Sequence, residues 1–269
     1  MDLGLAGAAV CVQGGTKGMG RAAAECFARD AARVVVLARG QAGIDDTVAA
    51  LTRLGSPDAW GVQVDLMQPA TIDAAFAAIG QRWGELNTLV NAAGPGASLT
   101  TFDAIDDGEW LATYEIGALA AVRCTRAALP LLRKAQWARV VNVSAHSTKR
   151  QSERLAAYTA AKSAMTSISK NMSLALAKEE ILVNTVSPGS FASDSFRAAM
   201  RRLPPERGLD PDNLYDCMRW IAEDFGHPAH MPRAGDPKEI GAVIAFVGSR
   251  ANSYMTGANI NVDGGSDFC

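Results

Sequence analysis

The chain has 269 residues, 48% of them hydrophobic and 20% charged, with a formal net charge of -2. A chain of this size buries a large core without disulfides or metals, and its apolar content is too high for disorder. The near-neutral charge, with aromatics at only 6%, excludes the basic excess and stacking surfaces of a nucleic-acid binder.

Short apolar runs alternate with longer helical patterns. Ala8–Gln13 predicts a strand, Gly18–Arg29 a helix, Arg33–Ala38 a strand and Gln41–Leu54 a helix. Ala59–Val64 predicts a strand, Ala70–Trp83 a helix and Leu86–Asn91 a strand. Helical patterns cover much of Asp103–Lys134, and Ala138–Ser144 is the next strand. Tyr158–Lys178 predicts a helix, Ile181–Val186 a strand, Pro237–Gly248 a helix and Asn259–Val262 a last strand. Continuous β-branched runs suit strands buried on both faces. The alternation predicts one α/β domain over 1–269 with a doubly wound parallel sheet.

One region departs from the alternation. Between Ser193 and Pro232 the chain carries Pro204, Pro205, Pro211, Pro228 and Pro232, interspersed with Phe196, Met200, Met218, Trp220 and Phe225. It follows the carboxyl end of a strand, where open α/β sheets bind ligands. The expectation is a helical lid over about 193–232, with bulky apolar residues that suit a hydrophobic carbonyl or alcohol substrate.

The five cysteines, Cys11, Cys26, Cys124, Cys217 and Cys269, form no CxxC pair. Neither a disulfide framework nor a zinc site is expected, and a reducing, cytoplasmic compartment fits. No apolar run approaches the ~18 residues of a membrane-spanning helix, and the N-terminus lacks a basic n-region. His227-x-x-His230 has a ligand-like spacing, but Pro228 breaks the helix that would align the pair. No metal is expected.

After the first strand comes Gln13-Gly14-Gly15-Thr16-Lys17-Gly18-Met19-Gly20, then a helix. Glycines remove side chains where the backbone turns sharply towards a pyrophosphate, and the helix start offers free N–H groups. Further on, Tyr158 and Lys162 stand four apart on one helix and so share a face. A nearby ammonium is expected to lower the tyrosine pKa from its usual value of about 10. That pairing suits Tyr158 as a general acid or base.

Gly14-x-x-x-Gly18-x-Gly20, Asn91-Ala92-Ala93-Gly94, Tyr158-x-x-x-Lys162, Pro188-Gly189 and the ending Asn261-Val262-Asp263-Gly264-Gly265 stand in order along the chain. Together they resemble the short-chain dehydrogenase/reductase family over essentially the whole length. The resemblance implies a seven-stranded Rossmann sheet, NAD(P) binding, hydride transfer between a carbonyl and an alcohol, and a homotetramer or homodimer. It assigns cofactor contacts to the glycine turn, including Thr16 and Met19, and to Asp65, Leu66, Asn91, Gly94, Pro188, Gly189 and Ser193. Tyr158 and Lys162 become the catalytic pair, and Lys162 also a ligand of the nicotinamide ribose.

NAD is usually held by an acid at the end of the second strand. Here Ala38 and Arg39 stand there, and Lys17 lies in the turn. Two cations and no acid favour NADP over NAD.

Two family positions do not match. The usual catalytic serine aligns with Ala145, leaving Ser144, His146 and Ser147 as neighbours able to hydrogen-bond a substrate oxygen, with Ser144 preferred. The usual helix asparagine aligns with Gly117. These departures keep a second reading open, a cofactor-binding protein with degraded catalysis that serves as a sensor or structural partner.

Overall fold

The computed structural model describes residues 2–96 and 99–266. Seven parallel strands form one sheet: β1 (Ala9–Gln13), β2 (Arg33–Ala38), β3 (Ala59–Gln63), β4 (Thr88–Asn91), β5 (Ala138–Val143), β6 (Ile181–Pro188) and β7 (Asn259–Val262). Their order across the sheet is β3-β2-β1-β4-β5-β6-β7. The chain winds outward from β1 through β2 and β3, then crosses back to place β4 on the other side of β1. The switch point therefore lies between β1 and β4, and the crevice outside their carboxyl ends is where such sheets bind ligands.

Helices α1 (Gly18–Arg29), α2 (Gln41–Arg53), α3 (Pro69–Trp83), α4 (Asp107–Tyr114), α5 (Ala120–Leu132), α6 (Ala156–Leu176), α7 (Asp194–Met200), α8 (Leu214–Phe225) and α9 (Pro237–Val247) connect the strands. Side-chain alternation divides the core. Val10, Val12, Val34 and Val36 pack with Phe27, Leu51, Ile240 and Ile244 on one face of the sheet. Ala9, Cys11, Val35 and Leu37 pack with Ile72, Phe76, Ile79 and Leu132 on the other. Both faces are covered, so apolar residues run unbroken along the strands.

The expected elements are present with ends moved by a few residues. The largest difference falls in 103–134, where α4 and α5 are separated by a π turn over Glu115–Leu119. Such a turn inserts an extra residue into the helical ladder, and Gly117 lies within it.

The expected excursion holds α7 and α8 and has a small core of its own. Met200, Cys217, Met218 and Trp220 are buried there, with Phe196, Leu203 and Phe225 packed against them. Trp220 meets Phe196 and Phe225 edge-on, with ring centroids 4.9 Å and 5.6 Å away. Arg207 fixes the end of α8 through Glu223 and Asp224, both at 2.7 Å.

Candidate active site

The glycine turn leaves β1 and closes against the end of β4. Gly14 has φ +77°, and a Cβ there would stand 2.6 Å from the Ala93 nitrogen. Only glycine permits both that dihedral and that approach. The Gln13 side chain reinforces the junction, its Oε1 accepting the Ala93 amide hydrogen at 3.0 Å. A threonine is usual at position 13 in the resemblance, and glutamine spans the gap here.

Helix α1 starts at Gly18 without a side-chain cap. Its first amides and the positive end of its dipole therefore face the crevice, an anion-binding arrangement. One of these amides is engaged, since Gly18 N–H donates to Asp194 Oδ2 at 3.0 Å. Lys17 and Arg39 are both exposed, and neither side chain spends a hydrogen bond or ion pair on another described residue. Thr16 is half-buried beside Gly43 of α2, and Met19 packs on the first core cluster. A glycine cradle that a Cβ would fill, open helix amides and two free cations fit a dinucleotide carrying an additional phosphate.

The other residues that the resemblance assigns to the cofactor stand at or beyond the carboxyl ends of β3, β4 and β6. Asp65 lies just past β3, its Oδ1 accepting the Met67 amide at 3.0 Å, and Leu66 packs on the second cluster. Asn91 is buried and donates to Asn142 Oδ1 at 2.8 Å; Asn142 in turn donates to Ser169 Oγ at 3.0 Å. This relay ties β4, β5 and α6 together, so Asn91 shapes the sheet end from within. Gly94 presses on α6, since a Cβ there would lie 2.9 Å from Lys162 Nζ. Pro188 ends β6, and Gly189 N–H donates to the Val262 carbonyl at 2.9 Å. Ser193 caps α7 by accepting the Phe196 amide.

Tyr158 and Lys162 share one face of α6, close to its N-terminus. Lys162 is buried at 3% exposure, and its Nζ donates to the Val143 carbonyl at 2.8 Å. Burial lowers its pKa to about 8. Tyr158 is half-buried, and desolvation pushes its pKa up to about 12. The lowering expected from the ammonium is therefore not what this chain sets up alone. Desolvation sets the direction, and the Lys162 ammonium donates to the Val143 carbonyl.

Ser144 directs its hydroxyl at α6. Its hydroxyl lies 3.1 Å from the Lys162 carbonyl and 2.8 Å from Thr166 Oγ1, both on α6. The cause is strand alternation. Ser144 continues the side of Asn142, whose amide also meets α6, so both project towards the helix interior. Ser147 is buried at 3% and accepts from Thr159 Oγ1 at 3.2 Å, so its own hydroxyl hydrogen is not consumed by that bond. The His146 ring nitrogen Nδ1 meets the Pro188 carbonyl at 3.1 Å, joining the segment after β5 to the end of β6.

Gly117 has no room for the usual asparagine. A Cβ there would stand 2.7 Å from the Ala161 Cβ and 3.4 Å from Pro95 Cδ. The π turn has brought the backbone against α6, closing the space that a longer side chain would need.

The contacts of Asp194 with Gly18, of Gln13 with Ala93 and of Gly117 with Ala161 were not among those expected to build the site. The signal for Asp194 was its place directly after Ser193, at the first helical position of α7.

Comparison with known proteins agrees with this architecture. Residues 8–203 match the family model of the short chain dehydrogenases, and the chain belongs to that family. It is similar to the rhamnolipids biosynthesis 3-oxoacyl-[acyl-carrier-protein] reductase of Pseudomonas aeruginosa, with 30% identity over 268 residues, 97% of this chain and 96% of that protein. It is 28% identical to the 3-oxoacyl-[acyl-carrier-protein] reductase FabG of Vibrio cholerae over 98% of both chains. Among solved structures, L-sorbose reductase from Gluconobacter frateurii, complexed with NADPH and L-sorbose, superposes with a TM-score of 0.92 at 26% identity and full coverage of both chains. A Pseudomonas aeruginosa RhlG/NADP active-site complex gives a TM-score of 0.86 at 26% identity, covering 99% of this chain and 98% of that one.

Proposed function

We propose that this chain is a cytoplasmic NADP(H)-dependent oxidoreductase that interconverts a ketone and a secondary alcohol. The observation that carries the reading is the pairing of Tyr158 and Lys162 on α6, with Gly94 from the cofactor-side loop packed directly over the Lys162 ammonium. On this reading the proton-transfer pair lies against the loop that lines the nucleotide crevice. Similarity to reductases solved with NADPH or NADP supports the cofactor, as do the free cations Lys17 and Arg39.

The Gly14–Gly20 turn holds the pyrophosphate, and Arg39 with Lys17 holds the additional phosphate. Asp65 and Leu66 flank the adenine. Asn91, Gly94, Pro188, Gly189 and Ser193 line the nicotinamide half. The cofactor supplies the hydride. Tyr158 supplies the proton, and its raised pKa keeps that proton in place at neutral pH, as a general acid for ketone reduction requires. Lys162 holds the ribose and contributes positive charge beside the tyrosine. Ser147 replaces Ser144 as the donor to the substrate oxygen, since Ser144 has committed its hydroxyl to α6. Residues 193–232 act as the lid.

Unpaired Cys11, Cys26, Cys124 and Cys217 suit a reducing compartment. Among the described residues, no helix is long and apolar enough to cross a membrane. Exposed Leu111 and Tyr114 on α4 and Leu174 on α6 suit burial in a homodimer or homotetramer.

The test is NADPH oxidation against a ketone panel with Tyr158→Phe alongside. Turnover should fall by ~10²–10⁴ while NADPH still binds; full activity in the variant sinks the assignment. The second reading, a cofactor binder without turnover, draws on one feature: no serine hydroxyl occupies position 145, and that of Ser144 is engaged. NADPH raising the melting temperature with no ketone consumed by wild type would favour it.

A further inference from the structure

We propose that Ser144 is a positioning residue for Lys162: it ties the carbonyl of that lysine to the end of β5, while the neighbouring Val143 carbonyl holds its ammonium. This rests on the reductase reading above, in which Lys162 serves Tyr158 and the cofactor.

Two consecutive residues at the strand end thus grip one lysine at both ends. Lys162 Nζ donates to the Val143 carbonyl at 2.8 Å, and the Ser144 hydroxyl donates to the Lys162 carbonyl at 3.1 Å. Thr166 Oγ1, one turn further along α6, lies 3.0 Å from the same carbonyl and 2.8 Å from Ser144 Oγ. Each hydroxyl has one hydrogen to give. The two hydrogens cannot both lie between Ser144 and Thr166, so the Lys162 carbonyl receives at least one of them. Ser144 is itself anchored, because its backbone amide donates to the Val186 carbonyl of β6 at 2.8 Å. Ser144 and Lys162 are only 1% and 3% exposed, so these bonds form away from water, where they are stronger.

The tie fixes the height of α6 along the sheet. Asn142 donates to Ser169, and Ser144, two residues further up the strand, meets Lys162 and Thr166, earlier on the helix. Strand and helix therefore run antiparallel with two polar rungs between them. The apolar contacts of α6, such as Met165 with Ala118 and Ala121, are non-directional and tolerate a slide along the axis. The rungs do not, since a hydrogen bond weakens steeply with misalignment. Tyr158 stands about one turn before Lys162, so the register that Ser144 sets is that of both side chains. The same grip keeps the ammonium buried, and burial is what lowers its pKa to about 8.

The first readout needs no turnover. Protein carrying isotope-labelled lysine, without cofactor, is titrated by NMR, and the Lys162 signal is identified by its loss in Lys162→Arg. The midpoint, about 8 in wild type, should rise in Ser144→Ala towards the usual lysine value of about 10.4, as the loosened helix admits water to the ammonium. Thr166→Val removes one partner of Ser144 at constant shape and should move the midpoint less. Thr166→Ser should keep the wild-type value. Ser173→Ala is the control: it deletes a buried hydroxyl of α6 that bonds within the helix, to the Lys170 carbonyl at 2.7 Å, and should leave the midpoint in place.

The second readout is NADPH-dependent reduction of the best ketone of the panel. Ser144→Ala should lower kcat about tenfold with the ketone KM near that of wild type, less than the ~10²-fold of a 1 Å misplacement because Thr166 still donates to the lysine carbonyl. The basic limb of the pH–rate profile should move with the NMR midpoint. A midpoint unmoved in both Ser144→Ala and Thr166→Val overturns the inference, as does an equal shift in Ser173→Ala. A raised ketone KM with an unmoved midpoint overturns it too, and returns Ser144 to the substrate oxygen. If Ser144→Ala does not fold, Thr166→Val against Thr166→Ser decides. A Tyr158→Phe variant as active as wild type would instead strike the reductase reading, and the lysine titration would still judge the grip of Ser144 on Lys162.

Discussion

Asp194 Oδ2 accepts the Gly18 amide hydrogen at 3.0 Å, so a carboxylate at the start of α7 rests on the glycine turn 176 residues away in sequence. Gly18 opens α1, where the amides and the helix dipole favour an anion. An internal anion there opposes the dinucleotide, whose phosphates need the same surface. Asp194→Ala should therefore tighten NADPH binding about three- to tenfold, roughly 1 kcal/mol, the scale of a charge near a helix terminus. Titration of NADPH fluorescence at low and high salt checks this. Weaker binding in the variant would show that Asp194 supports the turn in the presence of cofactor.

Lys162 and Tyr158 leave their ordinary pKa values in opposite directions. Burial brings Lys162 to about 8 from 10.5 and raises Tyr158 to about 12 from 10.0. Between about pH 8 and 10.5 the unfolded chain keeps a lysine proton that the folded chain has released. The unfolded state then binds more protons, so this group's contribution to stability rises with pH across that window. Ketone reduction should move the other way, falling as pH passes about 8 while Tyr158 stays protonated. Lys162→Arg, whose guanidinium does not deprotonate, should shift the fall to higher pH even with a reduced maximum rate. Parallel pH–rate profiles and melts check this, since a fall in rate that follows unfolding would give the opposite temperature trend.

Restoring the family asparagine at position 117 should harm this chain. The Cβ alone would stand 2.7 Å from the Ala161 Cβ, and overpacking of this kind costs ~1–3 kcal/mol. Gly117→Asn should lower the melting temperature, and Gly117→Asn with Ala161→Gly should recover much of the loss. Equal stability of Gly117→Asn and wild type would mean that the π turn relaxes freely.

Much of this was legible in the sequence. The strands were readable because both sheet faces are covered, and that demands unbroken runs such as Val34-Val35-Val36-Leu37. The glycine turn was readable because sharp turning and close approach to Ala93 leave no room for a side chain. Spacing reported position and said nothing of direction, which is why the engagement of the Ser144 hydroxyl with α6 was not foreseen. Alternation from Asn142 through Ser144 sends both towards α6, and applying that period of two would have shown that direction in advance. The apolar residues of 193–232 misled in another way. Composition cannot show whether Trp220 and Met218 face a ligand or one another, and here they form a private core. Asp194 on Gly18 and Gly117 on Ala161 are contacts between distant segments, which no local pattern encodes.

The choice between NADP and NAD turns on Arg39, at the end of β2. Its side chain is exposed and spends nothing on protein partners, and Lys17 stands free in the turn that follows β1. Strands β1 and β2 are adjacent and parallel, with Gln13 opposite Leu37, so the segments after them lie side by side. A 2'-phosphate between the two cations gains a forked partner in Arg39 and a point charge in Lys17. Arg39→Asp replaces the fork with the acid that suits a ribose hydroxyl pair and repels a phosphate. NADPH binding should weaken by about tenfold or more, roughly 1.4 kcal/mol per decade, while NADH binding improves. Lys17→Ala should weaken NADPH less and leave NADH nearly unaffected. Dissociation constants for both nucleotides at fixed ionic strength decide the matter. If Arg39→Asp changed both by the same factor, Arg39 would be acting on the shared part of the cofactor, and the discrimination would have to come from elsewhere in the crevice.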